Sequence, residues 1–327
     1  MKPRIVVVGL GSIGRRHARL LAARGDVAVE WCETSPEALT LARKDCGEPA
    51  AIHKLFSEAI ASRPAMMVIA TPHTAHATQS IAALEAGIHV LCEKPLSDTL
   101  ADGRAMVDAA AKARAVFTVG FHLHFHPAVK RMCELVRGGE LGSIHHVHAL
   151  VGTYGTLQNS KSNYQKTLFG ALFMDYAHQP DLFHHILGRV PHGVYAAGGQ
   201  GGSLPLQSNP NFAAIVCDYS DALITTIHLN YLQSPDRHEY EIIGDRGWIS
   251  VDMFRGELRF AKHGDANIRT ETFPFERDGP YRDEHQAFFD AIAGKRQPES
   301  PASAALVSME VIDAALRSLS ERQRVAL

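Results

Sequence analysis

Cysteine is scarce in this chain of 327 residues: Cys32, Cys46, Cys92, Cys133 and Cys217 are widely scattered, with no C-x-x-C pair among them. An odd, dispersed set argues against a disulfide framework or a C-x-x-C zinc or redox motif. It suits buried free thiols in a reducing compartment, so a cytoplasmic location is expected. Long apolar runs are missing as well, since no stretch reaches the roughly 18 residues that a membrane helix needs. The opening MKPRIVVVGLGSIGRRH breaks its apolar run with glycine after a few positions, so neither a membrane span nor a secretory leader is expected. Charge of one sign is absent too, with 33 Lys+Arg against 35 Asp+Glu and a net charge of −2. That removes the electrostatic footprint of a protein dedicated to nucleic acid. What is present is core material: 46% of residues are hydrophobic and 21% charged, enough to fold about two domains.

Up to residue 121, short apolar runs alternate with helical patterns. Strands are expected at Arg4–Val8, Val27–Cys32, Met66–Ala70, His89–Cys92 and Val116–Gly120, and helices at Ile13–Arg24, Pro36–Cys46, Phe56–Ser62, Ala75–Ala86 and Leu100–Ala113. The strands read as continuous apolar runs (IVVV, MMVIA), as burial on both faces requires. Residues 1–121 are thus expected to form an α/β domain, a doubly wound parallel (Rossmann) sheet. Residues 122–327 read as an α+β domain with a large mixed or antiparallel sheet. Its expected elements are a helix at Pro127–Arg137, a strand at Ile144–Val151, a loop at Gly152–Asn163, a helix at Met174–Leu187, closely spaced strands between Val190 and Phe273, and helices at Arg282–Ala293 and Pro301–Ser320.

The first strand runs directly into Gly9-Leu10-Gly11-Ser12-Ile13-Gly14, a G-x-G-x-x-G followed by an amphipathic helix. Gly9 allows the tight turn, Gly11 lets backbone approach a pyrophosphate, and Gly14 allows close helix–strand packing. The helix start at Ser12 and Ile13 offers orphan N–H groups and the positive end of the dipole. Glu33 follows Gly14 by 19 residues at the end of the second strand. A carboxylate there accepts from the adenosine ribose hydroxyls and repels a 2′-phosphate, which favours NAD over NADP. Arg15, Arg16 and Arg43 are near enough in sequence to keep NADP open.

Two further segments follow expected strands: Ala70-Thr71-Pro72-His73-Thr74-Ala75-His76 and Glu93-Lys94-Pro95. Both fall at carboxyl ends of parallel strands, where an open α/β sheet binds its ligand. Together with the glycine loop, and with Gly139-Glu140-Leu141-Gly142 and the segment through Asp175 and His178 further on, they resemble the Gfo/Idh/MocA family of sugar and cyclitol dehydrogenases. The resemblance implies that Thr71, Pro72, His73, His76 and Glu93 line the cofactor and that Lys94 stands beside nicotinamide and substrate. A lysine suits that place, because oxidising a secondary alcohol needs a cation near the oxygen as its proton and the hydride leave. The packing alternative is a strand-end lysine paired with Glu93.

In Asp175-Tyr176-Ala177-His178-Gln179-Pro180-Asp181, the family resemblance makes His178 the acid/base at the substrate hydroxyl. Asp175 or Asp181 would orient it, since i and i+3 share a helix face. Otherwise Asp175 caps the helix and Asp181 pairs with a neighbour. The family also implies that His122 and His124 replace an Asn and an Arg at the substrate, that Tyr164 lies in the substrate loop, and that the chain forms a homodimer or homotetramer through the sheet of its second domain. His122, His124 and His126 stand at i, i+2 and i+4, so on a strand they would face one side and could serve as metal ligands. That metal-enzyme reading ranks behind substrate contacts and structural histidines, and no metal is expected. The reading that results is an NAD-dependent dehydrogenase of a secondary hydroxyl on a sugar-like molecule, with no nucleic-acid or membrane partner. Its rivals are a redox-neutral enzyme holding NAD tightly and a non-catalytic NAD sensor.

Overall fold

The computed structural model describes residues 2–159, 164–202, 208–274 and 276–327. The chain divides into two compact units, Met1–His122 with Arg277–Met309, and Leu123–Glu276 with Glu310–Leu327.

In the first unit six parallel strands, β1 (Arg4–Val8), β2 (Ala28–Cys32), β3 (Ile52–His53), β4 (Met66–Ile69), β5 (His89–Glu93) and β6 (Phe117–Gly120), lie in the order 3-2-1-4-5-6. Helices α1 (Ser12–Arg24), α2 (Pro36–Cys46), α3 (Phe56–Ala61), α4 (His76–Glu85) and α5 (Leu100–Lys112) connect them. The apolar strands are buried along their length, β4 at every position, because helices cover both sheet faces. The sequence expectation holds here, except that it passes over the two-residue β3. The strand order reverses between β1 and β4, which opens a crevice at their carboxyl ends. The segment 277–309 belongs to this unit because Phe288 joins the cluster of Ile5, Val7, Leu21 and Trp31, with Phe289 and Ile292 packed against it.

The second unit begins with α6 (Pro127–Arg137). Its nine-stranded sheet contains β7 (Ile144–Gly152), β8 (Gly193–Gly199), β9 (Phe212–Asp218), β10 (Ile224–Asn230), β11 (Arg237–Gly244), β12 (Gly247–Asp252), β13 (Glu257–Lys262), β14 (Arg269–Thr272) and β15 (Val325–Ala326). The order is 14-13-12-11-7-10-9-8-15. Among the described residues only the β7–β10 pair is parallel, so the sheet is mixed. Burial alternates along β9 and β12, so one face packs inward.

Three expectations are corrected from His122 onward. The stretch expected as a loop at 152–163 carries the helix α7 (Tyr154–Asn159); a short α8 (Tyr164–Thr167) follows. The single helix expected at Met174–Leu187 is two, α9 (Ala171–Asp175) and α10 (His178–Leu187). Pro180 explains the break. In one continuous helix its ring would collide with the Tyr176 carbonyl and forfeit a backbone bond, whereas in the first turn of α10 its missing N–H costs nothing. Asp175 therefore ends one helix instead of starting the next, and Ala177 is the N-cap of α10. Lastly, His122–Phe125 is a turn of 3-10 helix, so the three histidines do not share a strand face. Helices α11 (Gly279–Ile292) and α12 (Ala302–Glu321) complete the chain.

Candidate functional site

The glycine loop lies where β1 meets α1. Gly9 has φ +84°, and a Cβ there would come within 2.8 Å of the Ala70 carbonyl oxygen. A Cβ on Gly14 would lie 1.9 Å from the Gly9 carbonyl oxygen. Both glycines are thus required by the protein's own packing. Gly11 differs, because a Cβ there would meet no atom within 4 Å. It is also the N-cap of α1 and brings no side-chain hydrogen bond to the helix start. An open glycine beneath uncapped N–H groups is a cradle that a side chain would fill and an anion fits.

Glu33 reaches over this loop. Its Oε2 accepts from the Leu10 N–H at 2.8 Å, and its Oε1 accepts from the Thr34 and Ser35 N–H groups, each at 2.8 Å. The arginines that kept a 2′-phosphate open are all engaged by carboxylates: Arg15 with Asp45, Arg16 with Asp278, and Arg43 with Glu48. Together these features suit a dinucleotide with a free adenosine ribose.

Thr71 and Pro72 follow β4, and a Cβ on Gly9 would come within 3.0 Å of the Thr71 Cα, so the two loops touch. His76, implied by resemblance to line the cofactor, is 1% exposed and braces the protein instead. Its Nδ1 donates to the Pro95 carbonyl at 2.9 Å and its Nε2 donates to the Thr71 carbonyl at 3.0 Å, which ties the Thr-Pro loop to the Glu-Lys-Pro loop. Burial works against a charged ring, but Cys92 and the two carbonyls outweigh it and hold the imidazole pKa up to about 9. His73 moves the other way, lowered by burial and by the His76 charge.

Lys94 follows the last residue of β5, and its N–H donates to Glu93 Oε2 at 3.1 Å. The other oxygen of Glu93 accepts from His17 Nε2 at 2.8 Å. His122 is stacked on Tyr281, with ring centroids 4.3 Å apart, and burial drives its pKa down to about 3. It is a neutral ring over the pH range of most enzymes.

In the second unit His178 opens α10 and is buried. Asp175 accepts hydrogen bonds from the Tyr231 hydroxyl and, at 3.4 Å, from Gln165 Nε2. Tyr176 bonds Thr153 through its hydroxyl. Asp181 is occupied by His124, whose Nε2 lies 2.6 Å from its Oδ2, with both side chains 3% exposed. Burial raises the Asp181 pKa against the opposing pull of His124. His185 stacks on the His124 ring, with centroids 3.8 Å apart. His126 caps α6 by accepting from the Ala128 N–H. The trio expected as possible metal ligands thus goes to an aromatic stack, a carboxylate and a helix cap. Tyr164 lies in α8, but its side chain is outside the described residues.

Comparison with known proteins decides the assignment. The sequence model for the oxidoreductase family's NAD-binding Rossmann fold (Gfo/Idh/MocA) matches residues 3–121, and the model for that family's C-terminal alpha/beta domain matches residues 133–327. The chain belongs to the Gfo/Idh/MocA family of NAD-binding oxidoreductases. It is 27% identical to the myo-inositol 2-dehydrogenase of Thermotoga maritima, over 99% of this chain and 98% of that one. It is 25% identical to the 2,7-anhydro-N-acetylneuraminate hydratase of Escherichia coli, over 76% and 67% respectively. Its fold matches a levoglucosan dehydrogenase solved with NADH and levoglucosan, with a TM-score of 0.89 at 22% identity and coverage of 100% and 99%.

Within this family member, sequence reasoning passed over three buried polar residues behind the glycine loop: His17, Glu284 and His285. One signal was available. Gly14, His17, Ala18 and Leu21 fall at i, i+3, i+4 and i+7 on the buried face of α1, so His17 occupies a place where the apolar stripe calls for an aliphatic residue.

Proposed function

We propose that this Gfo/Idh/MocA oxidoreductase oxidises a secondary hydroxyl of a sugar, cyclitol or sugar derivative, with NAD as the electron acceptor. The observation that carries the reading is Lys94, set at the carboxyl end of β5 in the same unit as the open Gly11 cradle and fixed through Glu93. Bound NAD supplies the hydride acceptor. Lys94 stabilises the alkoxide that forms as the hydroxyl proton leaves, and His178 takes that proton. Asp175, held by Tyr231 and Gln165, is the carboxylate assigned to orient His178, while Asp181 serves His124. His122 and Tyr164 contact substrate, and Ser12, Ile13, Thr71 and Pro72 contact the cofactor. A second copy of the chain covers the exposed apolar side chains of the nine-stranded sheet, including Tyr195, Val216 and Ile224, and the enzyme works in the cytoplasm.

The test is NADH formation across a panel of cyclitols, aldoses, sugar acids and nucleotide sugars, with NAD and then NADP, with and without chelator. One substrate class should give chelator-insensitive NADH, lost in Lys94→Ala while NADH binding survives. Full turnover by Lys94→Ala refutes the role given to that residue.

A further inference from the structure

Behind Lys94 lies a set of buried titratable groups that the reaction as described leaves unused. Glu93 is 5% exposed, and β6 makes room for its carboxylate: Gly120, its register partner, has no side chain, and a Cβ there would come within 3.1 Å of Glu93 Oε1. His17, fully buried, joins Glu93 through Nε2 at 2.8 Å and joins His285 Nε2 through Nδ1 at 2.7 Å. Glu284 is 3% exposed, and neither of its oxygens has a hydrogen-bond partner among the described residues. One ring nitrogen of His17 and one carboxylate oxygen each of Glu93 and Glu284 lie within 4.8 Å of one another. Two carboxylates at that distance, out of water, do not both ionise. Glu93 receives two N–H donors and Glu284 none, so the negative charge belongs on Glu93 and the proton on Glu284. The electrostatics agree. Burial alone would raise Glu93, but His17 holds it low, while burial and the Glu93 charge push Glu284 well above the usual carboxylate range.

We propose that Glu284 is a permanently protonated carboxylic acid and that Glu93, held ionised by His17, places a fixed negative charge behind Lys94 that favours NAD⁺ over NADH in the cofactor site. This rests on the reading that Lys94 stands at the nicotinamide, the ring whose charge differs by one between the two cofactor forms. The other groups facing Glu93 are Lys94 itself, His122 beyond β6 and Tyr281 on α11, while Arg16 on α1 faces His122 and Tyr281, and His285 on α11 faces His17. Burial keeps His122 and His285 neutral and Tyr281 protonated. Glu93 is therefore the one anion of the set. It acts as a positioning residue through Lys94 and through its field.

The experiment measures the dissociation constants of NAD⁺ and NADH by calorimetry in the full chain and in variants. Glu93→Gln keeps the shape and an acceptor for the Lys94 N–H but removes the charge, so NAD⁺ should weaken relative to NADH by about three- to tenfold. A purely structural role would move both constants together and leave their ratio unchanged, which would overturn the proposal. Glu284→Gln should leave the ratio unchanged at neutral pH and abolish an infrared carboxylic-acid band present in the parent protein. Absence of that band from the parent overturns the assignment of the proton. So does one equivalent of divalent metal in the purified protein, because Glu284 would then be an ionised ligand. His17→Gln, which still offers an N–H, should keep the parental ratio, and His17→Leu should follow Glu93→Gln; if His17→Leu does not fold, Glu93→Gln decides. Lys94→Ala separates the two readings. A ratio shifted toward NAD⁺ there with no shift in Glu93→Gln refutes this inference alone, whereas no shift in either variant removes Lys94 from the nicotinamide.

Discussion

Two glycines of the same motif should fail in different ways when each receives a single methyl group. In Gly14→Ala the new Cβ would stand 1.9 Å from the Gly9 carbonyl oxygen, where ordinary contact begins at 3.4 Å. Both partners are backbone, so the helix start and the strand-end turn must separate by more than an ångström, or the turn must be rebuilt. Overpacking of this kind costs about 3 kcal/mol or more, which is roughly 6–12 °C in the melting temperature of a unit this size. In Gly11→Ala the methyl meets nothing, and φ −61° suits alanine as well as glycine. The stability loss should stay below about 1 kcal/mol, the difference between glycine and alanine at an N-cap. The same methyl would project into the space assigned to the pyrophosphate, so NADH affinity should fall at least about tenfold, or about 1.4 kcal/mol. Thermal unfolding of the apo protein and an NADH fluorescence titration read the two effects separately. If Gly11→Ala binds NADH as the parent does, the cradle is not where the cofactor's phosphates lie. If Gly14→Ala melts with the parent, the close approach of Gly14 to the Gly9 carbonyl does not constrain the fold.

Glu33→Ala should weaken NAD binding and relax discrimination against NADP; an unchanged preference in parallel titrations removes Glu33 from the ribose. His76 has a folded pKa of about 9, above its ordinary 6.5, so its contribution of roughly 3 kcal/mol is complete below pH 6.5 and is lost as pH rises through 9. Denaturant unfolding from pH 6 to 10 should show that loss in the parent and a flatter profile in His76→Gln; parallel profiles would mean the ring is neutral. His124→Leu should cost about 3 kcal/mol because it strands the buried Asp181 charge, and adding Asp181→Leu should recover most of it. A double variant no better than the single one would show that the pair does more than satisfy itself.

The first unit was readable because its signals are local and repeated. Continuous apolar runs, turn glycines and helical periods agree from Arg4 to Gly120, and only β3, at two residues, is too short to leave a pattern. The second unit was less so, because strand pairing in a mixed sheet joins residues far apart in sequence, and β8, β14 and β15 carry weak alternation. The break before α10 was visible in principle. Pro180 is in the sequence, but a helix that resumes after two residues reads by its apolar positions as one helix.

Gly9 and Gly14 were legible in the candidate site because each answers to a backbone requirement that sequence spacing encodes, whereas Gly11 and Glu33 stand out by spacing alone. The histidines were not legible, because an imidazole can donate, accept, stack or cap, and its neighbours decide which. His76 shows how much that matters. From the sequence it stands among residues expected to line the cofactor, yet its two ring nitrogens are spent on two carbonyls, so it ties the Thr-Pro loop to the Glu-Lys-Pro loop. His17 makes the same point from inside a helix. A polar residue on an apolar stripe is destabilising unless something across the interface satisfies it, and the partners that do so, Glu93 and His285, are 76 and 268 residues away. A buried histidine on the helix that follows a glycine loop is therefore a reason to look for a buried carboxylate at a neighbouring strand end. In this fold that strand end is where Glu93 leads into Lys94.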